Sequence, residues 1–375
     1  MASKKIRILN LSSMFAPFQI ELAKALRAKG ADYHIAFSSF SGEGRGKHWT
    51  QESAQGLDYV HCYSGWSTRR ELGGHFEQLA TELNPDVIIV GGLGRTAVYR
   101  ASKNLLRSFK GIVTFWAEAP NRTRSFAVRI GTAVLHHHQL QRAHFVMAIG
   151  KSAQAYYSRR APQKTVHLVP YGQDLSHHFA VKRISQPSRP VTFLFSGQLV
   201  ERNNIRNLCG AIEKLSVTHS KQWKFVFGAK GPLRSEIDAL LKSKTEISES
   251  ISFDTEYATW LDRIRPFADS DLLVCPSTHA GWGLVVPEAM AAGMPVIATK
   301  YVNAADFLIE NEKNGLLIMP DAESIHTAMA FFIDNPGCVS IFGEAAKIAA
   351  KSCDADQVAA LMLSLFKRYW LKLRS

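Results

Sequence analysis

The residue types between Asp271 and Pro320 could bind a phosphate group. There, a strand-like run, DLLVCPS, is followed by a loop with glycines at positions 281 and 283 and by a short helical segment, PEAMAAG. Because glycine has no side chain, such a loop lets backbone N–H groups approach an anion closely, and the helix dipole favours the same charge. Diphosphate binding is one interpretation. A tight strand-to-helix connection, with glycines that serve only packing, is an equal alternative.

A second glycine-rich segment, VGGLGRTAV, lies between a strand-like run and a helical run in the first half of the chain. Gly92, Gly94 and Ala97 have the GxGxxA spacing of a dinucleotide-binding loop, and Glu118 follows after the next strand. This spacing makes a nicotinamide-dependent oxidoreductase one alternative. The fingerprint normally opens the first βαβ unit of its domain, however, whereas this segment follows earlier units.

The elements that must position these loops alternate between strands and helices. The strand-like runs of the first half are IRILNL, YHIAF, PDVIIVGG, GIVTFWAE, HFVMAIG and KTVHLVPYG, and those of the second half are VTFLFSGQL, KFVFGA, ISFDT, DLLVCPS and MPVIAT. Continuous apolar strands separated by helices predict parallel sheets covered on both faces. We therefore expect an α/β protein with two Rossmann-like, doubly wound parallel-sheet domains.

The boundary between the domains is predicted at the polar, proline-rich stretch KRISQPSRP, residues 182–190. The first domain is then 1–185 and the second 186–354. A final helix within 355–375 is long enough to pack back onto the first domain. The alternative for its basic, aromatic end is contact with a membrane surface.

Four segments resemble family 4 retaining glycosyltransferases, which have the GT-B fold of two such domains facing a cleft. The segments are GWGLVVPEAMAAGMPVIAT with AADFLIENEKNGLLIMP, VTFLFSGQLVERNNIRNLCGAIEKL, FVFGAKGPLRSEIDALL, and AHFVMAIGKSAQAYY with VHLVPYGQDLSHHF. They occur in the order and spacing of that family and cover the second half and the last third of the first half. The resemblance implies a nucleotide-sugar donor site in the second domain and an acceptor site in the first.

By this resemblance, donor binding falls on the loop and helix around Glu288. Glu288 matches the second glutamate of the family's paired-glutamate motif and would bind the ribose hydroxyls. Ala280 stands where the first glutamate contacts the donor sugar, and the adjacent His279 is either its substitute or a polar surface residue. Backbone N–H groups of the loop would bind the diphosphate or the sugar, from the residues Gly281, Trp282, Gly283, Leu284 and Val285.

The residues that grip the diphosphate depart from the family pattern. Family members place an arginine and a lysine where this chain has the neutral Gln198 and Asn203. Transfer without a metal needs fixed positive charge on the leaving group, and loss of one such donor costs roughly 10² to 10³ in rate. Without compensation, the protein would bind a nucleotide and not catalyse transfer. The candidate replacements, in loops expected to open on the same cleft, are Arg202, Lys230 and Arg234.

The first domain contributes the other candidate site residues. Glu118 directly follows the strand GIVTFW and is the candidate catalytic residue, with an ion pair to Arg122 or Arg124 as the structural alternative. The glycine loop described above would help to form the acceptor site, with an arginine available for an anionic group. Its candidate acceptor-side residues are Gly92, Gly94 and Arg95.

Positive charge is concentrated in the first half of the chain. Residues 1–185 contain 25 Lys and Arg and 11 Asp and Glu, a net charge of +14, whereas residues 186–375 contain 20 and 21, a net charge of −1. This asymmetry indicates contact with an anionic membrane surface or an acidic substrate. Nucleic acid is not expected, because the sequence has no RNP-like aromatic pattern, zinc finger or long basic helix.

The composition limits the remaining classes. No apolar run approaches the roughly 20 residues that span a bilayer, and the N-terminal segment does not have the pattern of an export signal. The five cysteines are scattered singly, which favours reduced thiols in the cytoplasm over a disulfide framework or a zinc site. No metal or other cofactor is implied, since the nucleotide-sugar is a substrate.

The sequence therefore predicts a metal-independent, retaining hexosyltransferase that moves a sugar from a nucleotide-diphosphate sugar to a glycan or lipid-linked acceptor. Polysaccharide or cell-envelope glycan synthesis is the expected setting. The expected location is cytoplasmic, with peripheral association on the inner face of the membrane. A catalytically impaired GT-B protein, which binds a nucleotide or glycan as a partner subunit, is the alternative, and the oxidoreductase is a third.

Overall fold

The computed structural model describes residues 5–39, 56–93, 96–120, 126–183, 190–255 and 264–374 of the 375-residue chain. The chain divides into two compact units. The first contains Met1–Asp174 together with Cys353–Ser375, and the second contains Leu175–Ser352. Each unit is built around one parallel sheet. No helix in these ranges combines the length and the apolar content needed to cross a membrane.

The first unit has a seven-stranded sheet in the order β3-β2-β1-β4-β5-β6-β7, and its neighbouring strands pair in parallel. Strand β5 is buried at every position, as expected for a sheet covered on both faces. The strands are β1 (Arg7–Ser12), β2 (Asp32–Phe37), β3 (Val60–Cys62), β4 (Val87–Gly91), β5 (Ile112–Ala117), β6 (Phe145–Ala148) and β7 (Val166–Leu168).

Helices cover this sheet, and the last helix of the chain is among them. Helix α15 packs against α1 and β5. The helical segment after β4 is divided at Ser102, whose hydroxyl donates to the carbonyl oxygen of Tyr99 (3.1 Å). The helices are α1 (Pro17–Ala28), α2 (Arg69–Leu83), α3 (Ala97–Ala101), α4 (Lys103–Ser108), α5 (Phe126–Leu140), α6 (Lys151–Arg160) and α15 (Ala355–Arg374).

The second unit repeats this plan with six parallel strands in the order β10-β9-β8-β11-β12-β13. Its strands are β8 (Val191–Ser196), β9 (Trp223–Gly228), β10 (Ile251–Phe253), β11 (Leu272–Cys275), β12 (Val296–Thr299) and β13 (Gly315–Ile318). Its helices are α7 (Ser176–Phe179), α8 (Ile205–Thr218), α9 (Arg234–Ser243), α10 (Arg265–Asp269), α11 (Val285–Ala291), α12 (Asn303–Leu308), α13 (Ala322–Asp334) and α14 (Gly337–Ala350).

The prediction of an α/β protein with two doubly wound parallel-sheet domains is confirmed by these two sheets. The second unit begins earlier than the proline-rich stretch suggested, at Leu175. The physical reason is that the short helix α7 contacts α11 and therefore belongs to the second core. Residues 184–189 of the predicted linker lie outside the described residues.

An aspartate occupies the same place in both units. It directly precedes the strand that returns to pair with the first strand of the unit, which is β4 beside β1 and β11 beside β8. The carboxylate of Asp86, before β4, accepts from the N–H of Arg7 (2.9 Å), and that of Asp271, before β11, accepts from the N–H of Thr192 (2.8 Å). Asp86 is 6% exposed and also forms an ion pair with Arg7 (3.2 Å). Each carboxylate therefore fixes the register of two neighbouring strands at the amino edge of the sheet.

We expect Asp86→Ala to lower the free energy of unfolding by about 2 to 3 kcal/mol, because it leaves a partly buried N–H and guanidinium without their acceptor. Urea denaturation of the full chain measures the change. Asp58→Ala is the matched control, since its side chain is 84% exposed, and it should change stability by no more than about 0.5 kcal/mol. Equal effects of the two substitutions would contradict the assignment.

Candidate functional site

The predicted donor-binding residues lie in the loops that follow β8, β9 and β11 and in the first turns of α9 and α11, at the carboxyl edge of the second sheet, where the loop after β12 adjoins them. These strands are neighbours, so their loops are brought side by side. Backbone hydrogen bonds join them: Leu199 N–H to Lys230 O (3.0 Å), Thr278 N–H to Arg202 O (2.9 Å) and Ala280 N–H to Tyr301 O (3.1 Å). The loops therefore form one connected surface.

Asn203 connects two of these loops through its side chain. Its amide nitrogen donates to the carbonyl oxygen of Gln198 (2.6 Å), and its amide oxygen accepts from the hydroxyl of Ser277 (3.0 Å). Both polar atoms of the amide are thus engaged within the protein. Asn203 therefore joins the β8 and β11 loops.

Asn204 is a functional candidate that the sequence did not identify. It is 8% exposed and has a positive φ of 64°, a conformation that asparagine tolerates better than most residues. Its amide nitrogen donates to the carbonyl oxygens of Pro276 (3.1 Å) and Pro320 (2.9 Å), at the ends of the β11 and β13 segments. The signal in the sequence was the consecutive asparagine pair after β8, which is typical of a turn.

The glycine loop after β11 leads into α11, which carries Glu288. Gly283 has a positive φ of 94°, and a Cβ at this position would lie 2.5 Å from Cγ1 of Val302. The N–H groups of Gly281, Gly283 and Val285 donate no hydrogen bond among the described residues. Helix α11 has only seven residues, so its dipole adds little, and an anion at this loop would depend mainly on these N–H groups.

The remaining predicted residues of this loop have different surroundings. The side chain of Trp282 is 3% exposed and packs against Phe307 with ring centroids 5.8 Å apart, so a ligand would meet its backbone only. Leu284 and Glu288 are partly exposed. His279 is also partly exposed and makes no hydrogen bond among the described residues, which leaves it available to a ligand.

The three candidate cations are not equivalent. The guanidinium of Arg234 is bonded to Asp238 (2.9 Å) and lies 3.4 Å from the ring centroid of Phe253, so it is committed to the protein. Lys230 is exposed. Arg202 is exposed and forms no ion pair with any described residue. Arg202 therefore keeps its guanidinium uncommitted among the described residues.

Two predicted residues of the first unit, Gly92 and Glu118, lie at the carboxyl edge of its sheet. Gly92 follows β4 and its N–H donates to the carbonyl oxygen of Trp116 (3.3 Å) in β5, while Glu118 directly follows β5. Gly92 has a positive φ of 99°. The other two acceptor-side candidates, Gly94 and Arg95, lie outside the described residues.

Glu118 is held by two tyrosines. The hydroxyl of Tyr171 donates to its carboxylate (3.0 Å), and the hydroxyl of Tyr157 donates to its backbone carbonyl (2.6 Å). Phe18 and Trp116 pack against the ring of Tyr171, at centroid distances of 4.4 and 5.3 Å. Burial raises the pKa of Glu118 above its usual value, and the hydrogen bond from Tyr171 opposes that shift.

Metal binding has two sequence signals, the Asp-x-Asp pairs Asp269 with Asp271, before β11, and Asp354 with Asp356, at the start of α15. The carboxylate of Asp271 already accepts from the N–H of Thr192 (2.8 Å). The carboxylate of Asp354 accepts from the N–H of Asp356 (3.0 Å), and Asp356 forms an ion pair with Lys29 (3.2 Å). Across the described ranges, no group of three or more His, Cys, Asp or Glu side chains is placed to hold a metal ion.

Gly283→Ala should lower the free energy of unfolding by about 2 kcal/mol, because the left-handed backbone alone costs about 1 to 2 kcal/mol and Val302 must also move. Urea denaturation checks this value. Gly337→Ala is the matched control in the same unit, since a Cβ there meets no atom within 4 Å. A Gly283 variant as stable as the Gly337 variant would disprove the constraint.

Tyr171→Phe should raise the pKa of Glu118 further, because it removes a donor that stabilises the ionised carboxylate. The midpoint of the Glu118 titration, followed by ¹³C NMR and assigned with Glu118→Gln, should then move to higher pH. Tyr157→Phe is the control, since its hydroxyl contacts the backbone and not the carboxylate. An unchanged or lower midpoint in Tyr171→Phe would contradict this role.

Comparison with known proteins finds a family model that matches the segment containing these loops. Residues 179–349 match the family model described as glycosyl transferases group 1, and this segment contains every predicted donor-binding residue. The glycosyltransferase LpsE of lipopolysaccharide core biosynthesis in Rhizobium meliloti is 30% identical over 149 residues, which are 39% of this chain and 41% of that protein. The match thus spans less than half the length of that relative.

Solved structures resemble the chain over almost its full length. Sucrose-phosphate synthase from Thermosynechococcus elongatus matches 98% of this chain and 100% of its own, with a TM-score of 0.74 and 16% identity. HepE from Anabaena in complex with UDP matches 97% and 100%, with a TM-score of 0.71 and 17% identity. The chain therefore has the two-domain α/β fold of GT-B glycosyltransferases, and its residues 179–349 have the sequence pattern of the group 1 glycosyl transferases.

Proposed function

We propose that the protein is a glycosyltransferase that takes a sugar from a nucleotide-sugar bound to the second unit. The carrying observation is the connected loop surface at the carboxyl edge of the second sheet, which lies wholly within the segment that matches the glycosyl transferases model. Within that surface, Glu288 follows a loop with unused N–H groups at Gly281, Gly283 and Val285. A carboxylate beside backbone donors suits a ribose joined to a diphosphate.

Each part of the nucleotide-sugar has a proposed contact in the site. Glu288 accepts from the ribose hydroxyls, and the loop N–H groups donate to the diphosphate. Arg202, with Lys230, supplies the positive charge that neutralises the leaving diphosphate. His279 contacts the donor sugar in place of the glutamate that Ala280 replaces. Asn203 and Arg234 are excluded from direct phosphate binding in this proposal, because both side chains are already bonded within the protein.

The proposed reaction is that of family 4 retaining enzymes and uses no metal. The bond between the anomeric carbon and the diphosphate oxygen breaks, and the acceptor oxygen bonds to the same carbon on the same face. The acceptor proton passes to a phosphate oxygen of the leaving diphosphate. Glu118, on the first unit, hydrogen-bonds the acceptor hydroxyl. Burial raises its pKa, and the more basic carboxylate is a stronger hydrogen-bond acceptor when it is ionised.

The acceptor is proposed to be a glycan or a lipid-linked glycan of the cell envelope. The basic first half of the chain supports an anionic acceptor or a membrane-presented one, with peripheral association on the cytoplasmic face. The name of LpsE, which places that relative in lipopolysaccharide core biosynthesis, supports the same setting. The oxidoreductase alternative is not proposed, because the Gly92 loop follows β4 and the dinucleotide fingerprint belongs after the first strand.

A catalytically impaired partner subunit is the second candidate function. Asn203 is tied to Gln198 and Ser277, and Arg234 is tied to Asp238, so neither compensates directly for the missing phosphate grip. If Arg202 and Lys230 do not supply the charge, the site retains ribose recognition and loses most of its catalytic power. The protein would then bind a nucleotide without turning over its sugar derivative.

Calorimetric titration of UDP, GDP and ADP into the full chain without metal tests the donor site. One nucleotide should bind with micromolar affinity, and Glu288→Gln should weaken it by about 10- to 100-fold, the effect of losing hydrogen bonds to a charged group. Glu310→Gln is the control, because Glu310 is exposed and paired only with Lys313 (3.0 Å). No binding at millimolar concentration would refute the donor site.

A second titration distinguishes binding of the diphosphate from binding of the nucleoside. Arg202→Gln should weaken the nucleoside diphosphate and leave the free nucleoside unchanged, while Arg206→Gln should weaken neither, since Arg206 is paired with Glu201 (2.6 Å) and Glu236 (3.0 Å). Incubation with the matching nucleotide-sugars then tests turnover. Product with the anomeric configuration of the donor, read by ¹H NMR, supports the retaining enzyme. Nucleotide binding without turnover of any nucleotide-sugar supports the partner subunit.

A further inference from the structure

The charge of the first unit is concentrated in one half of its sheet. Between Val87 and Gln173, the chain contains thirteen Lys and Arg and a single acidic residue, Glu118. Helix α15 adds four cations after Asp356 and no acid. The segment from β4 to β7 and the end of α15 therefore have a large excess of positive charge.

Helix α15 runs from the carboxyl edge of the first sheet to its amino edge. Near its start, the carbonyl oxygen of Cys353 accepts from the N–H of Gln173, which follows β7 (3.0 Å). Near its end, the ring of Tyr369 stacks on Phe145, the first residue of β6 (4.1 Å), and its hydroxyl bonds to His167 (3.1 Å). The last two turns are thus anchored at the amino edge, opposite to Glu118.

Beyond this anchor, apolar side chains are exposed among cations. Leu371 is 71% exposed and Leu373 is 42% exposed, within a segment, Lys367–Arg374, that also contains Trp370. The guanidinium of Arg374 lies 4.7 Å from the Trp370 ring centroid. Exposed leucines interleaved with Lys, Arg and an aromatic ring are the composition of a helix that lies in a lipid interface.

Further cations lie along the same edge. Lys110, Arg142 and Lys164 come shortly before β5, β6 and β7, and none of them forms an ion pair with a described residue. Of the acidic residues beside these strands, Glu118 lies at the other edge, and Asp86, at this edge, is paired with Arg7 (3.2 Å). Lys110, Arg142, Lys164 and the segment Lys367–Arg374 form what we call the amino-edge surface.

We propose that the amino-edge surface docks on an anionic lipid bilayer, with Leu371 and Leu373 inserted and the cations on the lipid phosphates. Charge alone would also suit a nucleic acid. The two exposed leucines at the tip favour a membrane, because they gain free energy in the acyl boundary and have no equivalent partner on a phosphate backbone. The proposal gives a location to the peripheral association proposed above and does not depend on the transfer reaction.

Vesicle flotation of the full chain without nucleotide tests the proposal. The protein should float with vesicles of phosphatidylcholine and phosphatidylglycerol, not with phosphatidylcholine alone, and binding should weaken as salt shortens the Debye length below about 8 Å. Lys367→Gln with Arg368→Gln should lower partitioning by about fivefold per charge. Leu371→Ser with Leu373→Ser should lower it by about tenfold.

The matched control replaces two exposed isoleucines of the second unit. Ile341→Ser with Ile348→Ser, both 68% exposed on α14, should leave partitioning unchanged. Equal loss in this control, no binding to the anionic vesicles, or equal binding to both vesicle types overturns the proposal. Binding of single-stranded RNA in place of vesicles, unaffected by the leucine changes, overturns it in favour of nucleic acid. None of these outcomes bears on the donor-site proposal, because the flotation experiment contains no nucleotide.

Discussion

Parallel strand pairing is the constraint on which both units depend. A parallel sheet needs a crossover between paired strands, and the crossover helices bury both faces, so the strands must be apolar on both sides. Polar groups with a chemical role are therefore confined to the edges. The carboxyl edge of the second sheet collects the loops after β8, β9, β11 and β12, which is why residues far apart in sequence, such as Arg202 and Glu288, share one surface.

At position 203, one side chain cannot both join the two loops by hydrogen bonds and carry a positive charge. Asn203 joins the β8 and β11 loops through both atoms of its amide, and Asn204 joins the same loop to the ends of the β11 and β13 segments. A lysine in place of Asn203 would add charge but lose an acceptor that Ser277 needs. The chain thus has ordered loops in place of one fixed cation, and the proposed function assigns that charge to Arg202 with Lys230.

The sequence predicted the two sheets and most strands, because buried parallel strands are continuous apolar runs. It did not predict β3, which has three residues and no fully buried position, or α2, whose neighbourhood lacks a clear apolar period. Within the site, local spacing suggested the glycine loop, and the resemblance to family 4 retaining glycosyltransferases suggested Glu288; both remain predictions. The sequence could not foresee that Tyr171 contacts Glu118, because that pairing depends on a tertiary contact and leaves no local pattern. The pair of Arg234 with Asp238, by contrast, has the i,i+4 spacing of neighbours on one helix face, which the sequence already contains.

The two edges of the first sheet have opposite character, and this has a consequence for the acceptor. Glu118 follows the carboxyl end of β5, whereas the cations and exposed leucines of the amino-edge surface lie at the other end. A strand of six residues, the length of β5, separates the edges by about 20 Å, at a rise of about 3.3 Å per residue. If the amino edge rests on the bilayer, an acceptor that reaches Glu118 must extend roughly that far from the lipid surface. A lipid that carries several sugars meets this requirement, whereas a lipid with a single small headgroup does not.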